Sequence, residues 1–107
     1  MLLAGGVLSG CHRIPANARH ITVVMKRYAF EPAEIHVRRG EVVVLDVTTA
    51  DVQHGFKSGV LDINESIQRR HTAQIVVQVQ APGVYPLECS VICGPHHNDM
   101  TGKLVVE

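Results

Sequence analysis

The chain has 107 residues, and its ten basic and ten acidic side chains give a formal net charge of zero at pH 7. This length suits one domain with one core, and 46% hydrophobic with 19% charged residues is typical of a globular protein. The balanced charge gives no electrostatic basis for binding nucleic acid or an anionic membrane surface, so neither is expected as a partner. Histidine is frequent, with seven residues, and it is the commonest metal ligand.

The first ten residues are apolar or small and carry no charge. Such a stretch is shorter than the ~20 residues that span a bilayer. It is typical of the apolar part of a secretory signal, although the basic residues that usually precede that part are absent. We therefore expect residues 1–10 to be a signal-like leader of an exported protein whose true start codon lies upstream.

Residues 8–11, Leu-Ser-Gly-Cys, resemble the lipobox of bacterial lipoproteins, in which the cysteine is lipidated and becomes the mature N-terminus. On that resemblance, Cys11 is a lipid anchor that holds the protein at a bacterial membrane, on the periplasmic or extracytoplasmic side. The alternative is that Cys11 is an incidental thiol in a frayed tail. Residues 11–19 contain Pro15 and lack apolar periodicity, which predicts a linker between the anchor and a domain at residues 20–107.

From Ile21 onward, apolar side chains recur at every second position, as in strands with one buried face and one wet face. The alternating segments are 21–26, 34–38 and 73–80. Residues 41–48 are more continuously apolar, as expected of a central strand. Turn signals separate the segments, and no window has a sustained helical period. The pattern predicts about seven or eight short strands in an all-β, Greek-key β-sandwich.

The chemistry-bearing side chains are concentrated in the loop before the last predicted strand. Within residues 89–100 this loop carries Cys89, Cys93, His96, His97 and Met100. Soft thiolate ligands select monovalent copper, zinc or iron–sulfur clusters, and the addition of imidazole and thioether favours copper. Structural zinc sites usually combine cysteine and histidine alone. A loop held at both ends by strands would keep the ligand geometry nearly constant when the metal changes charge.

The spacing of the two cysteines carries most of the information. A mononuclear blue-copper site needs one thiolate, two imidazoles and a weak axial thioether, whereas Cys89 and Cys93 offer two thiolates that can bridge two copper ions. The spacing C-x3-C-x3-H-x2-M in residues 89–100 resembles the binuclear copper A motif of cytochrome c oxidase subunit II and nitrous oxide reductase. Residues 51–56, Asp-Val-Gln-His-Gly-Phe, resemble the earlier loop from which that family supplies its first histidine. The resemblance covers residues 21–107.

This resemblance implies a cupredoxin-like fold and a centre of two copper ions. The metal-site residues that it implies are His54, Cys89, Val91, Cys93, His97 and Met100. The two cysteines would bridge the ions, each histidine would terminate one ion, and the thioether and the backbone carbonyl of Val91 would each be a weak ligand. Asp51 would shape the loop that presents His54.

The expected function is electron transfer from a donor such as a cytochrome c to a terminal oxidase or a reductase. No nucleophile with its base, phosphate loop or acid pair is recognisable, so the domain is not expected to be an enzyme by itself. The residue at the position of Val91 is typically glutamate in the oxidase subunit, where it also serves a magnesium site. The chain also lacks tryptophan and the two preceding transmembrane helices of that subunit. We therefore expect a free-standing, lipid-anchored relative.

Other interpretations remain open at this point. Cys89 and Cys93 could form a disulfide in an oxidising compartment, which would leave the loop histidines and Met100 unexplained. A mononuclear blue-copper site could use Cys93, Met100, His54 and either histidine of the loop, which would leave Cys89 without a role. The same ligands could serve a copper chaperone or store, or the chain could be a fragment of a larger oxidoreductase.

Overall fold

The computed structural model describes residues 7–8 and 14–107. The predicted lipid-anchor residue Cys11 and most of the predicted leader lie outside the described residues. The strands are β1 (Val7–Leu8), β2 (Arg19–Lys26), β3 (Ala29–Glu31), β4 (Glu34–Val37), β5 (Val43–Thr49), β6 (His54–Ser58), β7 (Ile63–Ile67), β8 (Ala73–Val77), β9 (Gly83–Cys89) and β10 (Thr101–Val106). A short 3-10 turn, His97–Asp99, lies between the last two strands. In this part of the chain, no helix has the length and hydropathy needed to cross a membrane.

The strands form two five-stranded sheets. The first sheet has the order β1-β8-β5-β2-β3, and the second has the order β4-β10-β9-β6-β7. The pairs β2–β5 and β4–β10 are parallel, and the other pairs are antiparallel. Because five of the eight neighbouring strand pairs are not consecutive in the chain, the polypeptide crosses between the sheets, as a Greek-key sandwich requires. The all-β cupredoxin-like fold class is confirmed.

The core lies between the two sheets and follows the period-two pattern. Val23 and Met25 of β2 are fully buried. In β10 of the second sheet, the alternate residues Leu104 and Val106 are at most 3% exposed. Phe30 from the first sheet and Phe56 from the second meet edge to face, with ring centroids 5.8 Å apart. Burial of each such side chain stabilises the fold by about 1.5–3 kcal/mol. The aromatic pair therefore packs one sheet against the other.

Two details differ from the sequence-based expectation. The described residues contain ten strands instead of seven or eight. The additional strands include β1 and β3, whose two and three residues are too few to show an alternating pattern in the sequence.

Val76 falls on the face of β8 predicted to be wet, yet it is only 4% exposed. Its register partner in β5 is Val44, which is also buried, so the outer face of the first sheet is covered there. Strand β1, inside the predicted leader, pairs antiparallel with β8.

The second sheet sets the position of the ligand-bearing loops. Strand β6 begins at His54, and its neighbour β9 ends at Cys89, with Phe56 opposite Cys89 in the register. On the other side of β9, strand β10 begins with Thr101 opposite Glu88. The loop before β6 and the loop between β9 and β10 therefore meet at the same end of one sheet.

Candidate metal centre

The His54 imidazole is held in one orientation by the loop that precedes β6. It is fully buried, and its Nε2–H donates to Oδ1 of Asp51 at 2.9 Å. The Asp51 carboxylate also accepts the backbone N–H groups of Arg27 at 2.8 Å and Val52 at 2.6 Å. Burial alone would raise the pKa of Asp51, but these hydrogen bonds outweigh it and lower the pKa to about 2. Asp51 is therefore an ionised acceptor at neutral pH.

Because the Asp51 carboxylate can only accept, the proton of neutral His54 lies on Nε2 and the lone pair lies on Nδ1. That Nδ1 atom is 3.7 Å from Sγ of Cys89. A histidine with one nitrogen held by a carboxylate and the other free is the usual arrangement of a metal ligand. The structure thus presents a free imidazole nitrogen beside a thiol.

Two buried thiols complete a cluster with this imidazole. Cys89 and Cys93 are each 5% exposed and are free thiols, not a disulfide. The ligand atoms of His54, Cys89 and Cys93 all lie within 4.8 Å of one another, and within the described residues no other group of histidine, cysteine and acidic ligand atoms is so compact. The sequence places Cys89 and Cys93 four residues apart, but their proximity to His54 depends on the pairing of β6 with β9.

Burial and the neighbouring Cys89 together raise the pKa of the Cys93 thiol, while the positive charge of Arg27 acts in the opposite direction. A thiol in apolar surroundings stays protonated until a cation stabilises its thiolate. Metal binding at this cluster would therefore release protons from the cysteines.

Two weaker donors lie beside the two sulfur atoms. The thioether sulfur of Met100, which is fully buried, is 4.0 Å from Sγ of Cys93. The Cys89 thiol donates to the backbone carbonyl of Val91, with its Sγ 3.2 Å from the oxygen. Each cysteine sulfur thus has a different weak donor next to it.

His97 occupies the first position of the 3-10 turn in the same loop. Its backbone N–H donates to the carbonyl of Gly94 at 3.1 Å, and its Nδ1 is buried without a hydrogen-bond partner in the described structure. An unsatisfied buried polar atom costs about 1–3 kcal/mol, which a metal ion would offset. His97 does not belong to the 4.8 Å cluster of the other three residues.

The residues present fit copper as the metal. The donor set combines two thiols, imidazole nitrogens, a thioether and a backbone carbonyl, and this mixture of soft and borderline ligands is the one that copper prefers. The orphaned Nδ1 of His97 and the free Nδ1 of His54 are the two nitrogens that a metal would satisfy.

Close packing around Gly55 keeps the two loops together. The Ser90 backbone N–H donates to the Gly55 carbonyl at 3.1 Å, and the Ser90 hydroxyl donates to Oδ1 of Asn64 at 2.7 Å. A Cβ at position 55 would overlap the Ser90 hydroxyl and lie 3.1 Å from the Ser90 nitrogen. Glycine at this position is therefore required by the close approach of β6 to the metal loop.

Arg27 is a residue at this site that sequence reasoning missed. Its Nε–H donates to the carbonyl of Cys93 at 2.8 Å across a separation of 66 residues, and no spacing in the sequence marks such a contact.

His96 is exposed as expected and lies edge to face against Tyr28, with ring centroids 5.4 Å apart.

The model of the cupredoxin-like domain family matches residues 1–106. This chain belongs to that family. The cupredoxin is 29% identical over 91 residues to cytochrome c oxidase subunit 2 of Thermus thermophilus, an alignment that covers 85% of this chain and 67% of the subunit. It is 28% identical over 97 residues to nitrous-oxide reductase of Ralstonia nicotianae, which covers 85% of this chain and 15% of that enzyme.

The periplasmic domain of subunit II of cytochrome oxidase from Bradyrhizobium japonicum has the same fold. The two structures superpose with a TM-score of 0.79 at 17% identity, over 89% of this chain and 88% of that one. The resemblance to the copper A domains of cytochrome c oxidase subunit II and nitrous oxide reductase is therefore confirmed as homology. Homology and the His54, Cys89 and Cys93 cluster support copper as the metal and electron transfer as the general role.

Proposed function

We propose that this cupredoxin transfers single electrons through a binuclear copper A centre. The residues that would hold the two copper ions are His54, Cys89, Val91 through its carbonyl, Cys93, His97 and Met100. Copper, when bound, supplies reversible one-electron redox chemistry. The single observation that carries the proposal is that the two thiols and the His54 imidazole lie within 4.8 Å of one another.

A second thiol inside the cluster favours two copper ions over one. In a mononuclear site Cys89 would have no role, yet its Sγ is 3.7 Å from Nδ1 of His54 and 3.2 Å from the carbonyl of Val91. The exposed imidazole of His96 lies edge to face against Tyr28, whereas Nδ1 of His97 is buried without a hydrogen-bond partner in the described structure. These contacts favour shared use of both cysteines.

The protein part of the centre is built to keep its shape and to exclude water. His54 and Met100 are fully buried, and both cysteines are nearly so. Asp51 fixes the His54 tautomer, and the paired strands β9 and β10 hold both ends of the metal loop. Ligands that do not move when the charge of the site changes make electron transfer easier, because little reorganisation accompanies each step.

The proposed partners are a donor such as a cytochrome c and an acceptor that is a terminal oxidase or a reductase. The relatives named above, an oxidase subunit and a nitrous-oxide reductase, support this choice. We further propose an exported, periplasmic protein in which residues 1–10 are a leader, Cys11 is a lipid anchor, residues 11–19 are a linker and residues 20–107 are the copper-binding domain.

The test is the visible and electron paramagnetic resonance spectrum of the copper-loaded protein, together with the ratio of copper to protein. A purple species with two coppers per chain, and hyperfine structure from an electron shared over both, would support the proposal. One copper per chain with an ordinary four-line pattern would contradict it. Rapid loss of copper to a mild chelator would instead indicate a copper-delivery protein, because a carrier retains its metal.

A further inference from the structure

Arg27 lies in the first sheet's half of the molecule, between the end of β2 at Lys26 and the start of β3 at Ala29. Its backbone N–H donates to Oδ2 of Asp51 at 2.8 Å, and its side-chain Nε–H donates to the carbonyl of Cys93 at 2.8 Å. Asp51 in turn holds His54. One residue from outside the second sheet therefore contacts both ligand-bearing loops.

The two contacts of Arg27 differ in kind. The contact with Asp51 uses the main chain and would survive replacement of the side chain. The contact with Cys93 uses the guanidinium, and hydrogen bonds from a charged donor are about twice as strong as neutral ones. The guanidinium also brings a positive charge to the backbone of a cysteine of the cluster. A cation near a redox centre favours the reduced form, because that form carries one positive charge fewer.

We propose that Arg27 is a positioning residue that fixes Cys93 within the metal loop and raises the reduction potential of the centre. The first half of this proposal concerns the protein alone, and the second half rests on the proposed electron-transfer function. The side chain acts through the Cys93 carbonyl and through its charge, and it makes no bond to the metal.

The test uses three variants of Arg27 and one control in the full chain. Arg27→Met removes both the hydrogen-bond donor and the charge. Arg27→Gln keeps a donor without the charge, and Arg27→Lys keeps the charge but replaces the planar guanidinium with an ammonium group. The control is Arg39→Met, because Arg39 follows β4 at the opposite end of the sheet, where its backbone N–H donates to the carbonyl of Glu107.

The first measurement is amide hydrogen exchange of the metal-free protein. In Arg27→Met, the amides of residues 96–100 should exchange about tenfold faster or more, as expected when one charge-assisted hydrogen bond is lost. Arg39→Met should exchange like the wild type. Unchanged exchange in a folded Arg27→Met would overturn the positioning role, and if that variant fails to fold, the same comparison is made with Arg27→Ala, which also lacks the donor.

The second measurement is the reduction potential of the copper-loaded variants. Arg27→Met and Arg27→Gln should both have a lower potential than the wild type, while Arg27→Lys and Arg39→Met should stay close to it. Equal potentials in all four variants would overturn the electrostatic role. A wild-type protein without the copper A spectrum would instead contradict the proposed function, and the exchange experiment would still decide whether Arg27 positions the loop.

Discussion

The Nε2–H of His54 donates to Oδ1 of Asp51 at 2.9 Å, and the other ring nitrogen, Nδ1, lies 3.7 Å from Sγ of Cys89. One carboxylate therefore decides which nitrogen of a fully buried imidazole is free. Loss of the hydrogen-bond partner of a metal-bound histidine usually lowers the metal affinity about tenfold to a hundredfold. The role of the Asp51–His54 pair can therefore be tested by measuring copper affinity.

Replacement of Asp51 by alanine should weaken copper binding about tenfold to a hundredfold, because His54 loses its fixed tautomer and orientation. Competition titration against a copper chelator measures the change. The control is Glu65→Ala in the exposed part of β7, which should leave the affinity unchanged. Equal affinities for the two variants would show that the Asp51–His54 hydrogen bond does not prepare the site.

Replacement of Gly55 by alanine should destabilise the metal-free fold by about 1–3 kcal/mol, the usual cost of overpacking. The new methyl would overlap the Ser90 hydroxyl and press on the Ser90 backbone. Denaturant unfolding measures the free energy. Gly59→Ala is the matched control, since its added Cβ meets nothing within 4 Å, and it should change stability by less than about 0.5 kcal/mol. A Gly55→Ala protein as stable as the control would mean that the loop moves away freely.

Met100 allows the thioether to be removed while the core volume is kept. Met100→Leu is nearly volume-conserving and should cost less than about 1.5 kcal/mol of folding free energy. The sulfur of Met100 is 4.0 Å from Sγ of Cys93 in the wild type. Its loss in Met100→Leu should therefore change the spectrum of the copper-loaded protein while the copper content stays the same. Met25→Leu, in the same core but in the first sheet, should leave the spectrum as it is. An unaltered spectrum in Met100→Leu would exclude the thioether as a ligand.

Acid should weaken the fold through Glu41. Two hydrogen bonds from the Arg19 guanidinium, at 2.9 and 3.0 Å, and the backbone N–H of Arg38 lower the pKa of Glu41 below its usual 4.5. Because the pKa is lower in the folded protein, the stabilisation is complete above the ordinary glutamate pKa and disappears as the pH falls through the lowered value. The pair is partly exposed, so its contribution is at most about 1 kcal/mol.

Unfolding of Glu41→Gln and wild type over a pH series measures this contribution. The variant should be less stable at neutral pH, and the difference should vanish at acidic pH. Glu65→Gln, in the exposed part of β7, serves as the control. A difference between Glu41→Gln and wild type that is the same at every pH would show that the carboxylate charge is not what stabilises the fold there.

The sandwich could be predicted because burial follows side-chain alternation. Val23 and Met25, expected on the inner face from their spacing, are fully buried. The outer face was less predictable, as Val76 shows, since it is buried beside Val44, a register partner that is far away in the sequence. Strands as short as β1 carry too few residues for a period to appear.

The candidate site was predictable where its donors are close in sequence. Cys89, Cys93 and Met100 lie within residues 89–100, and the structure places their sulfur atoms in the same buried region. His54 could be chosen only through a family resemblance, because 35 residues separate it from Cys89. Arg27 could not be chosen at all, since its contact with Cys93 exists only after the two sheets have packed together.

Strands β6, β9 and β10 are neighbours in one sheet. His54 begins β6, Cys89 ends β9, and Met100 directly precedes β10. A shear that slides one sheet over the other would leave their mutual distances nearly unchanged, because all three residues belong to the second sheet or directly precede one of its strands. The contact of Arg27 with Cys93 does cross from one sheet to the other. A sliding motion between the sheets would therefore change the distance from the Arg27 guanidinium to Cys93 more than the distances among His54, Cys89 and Met100.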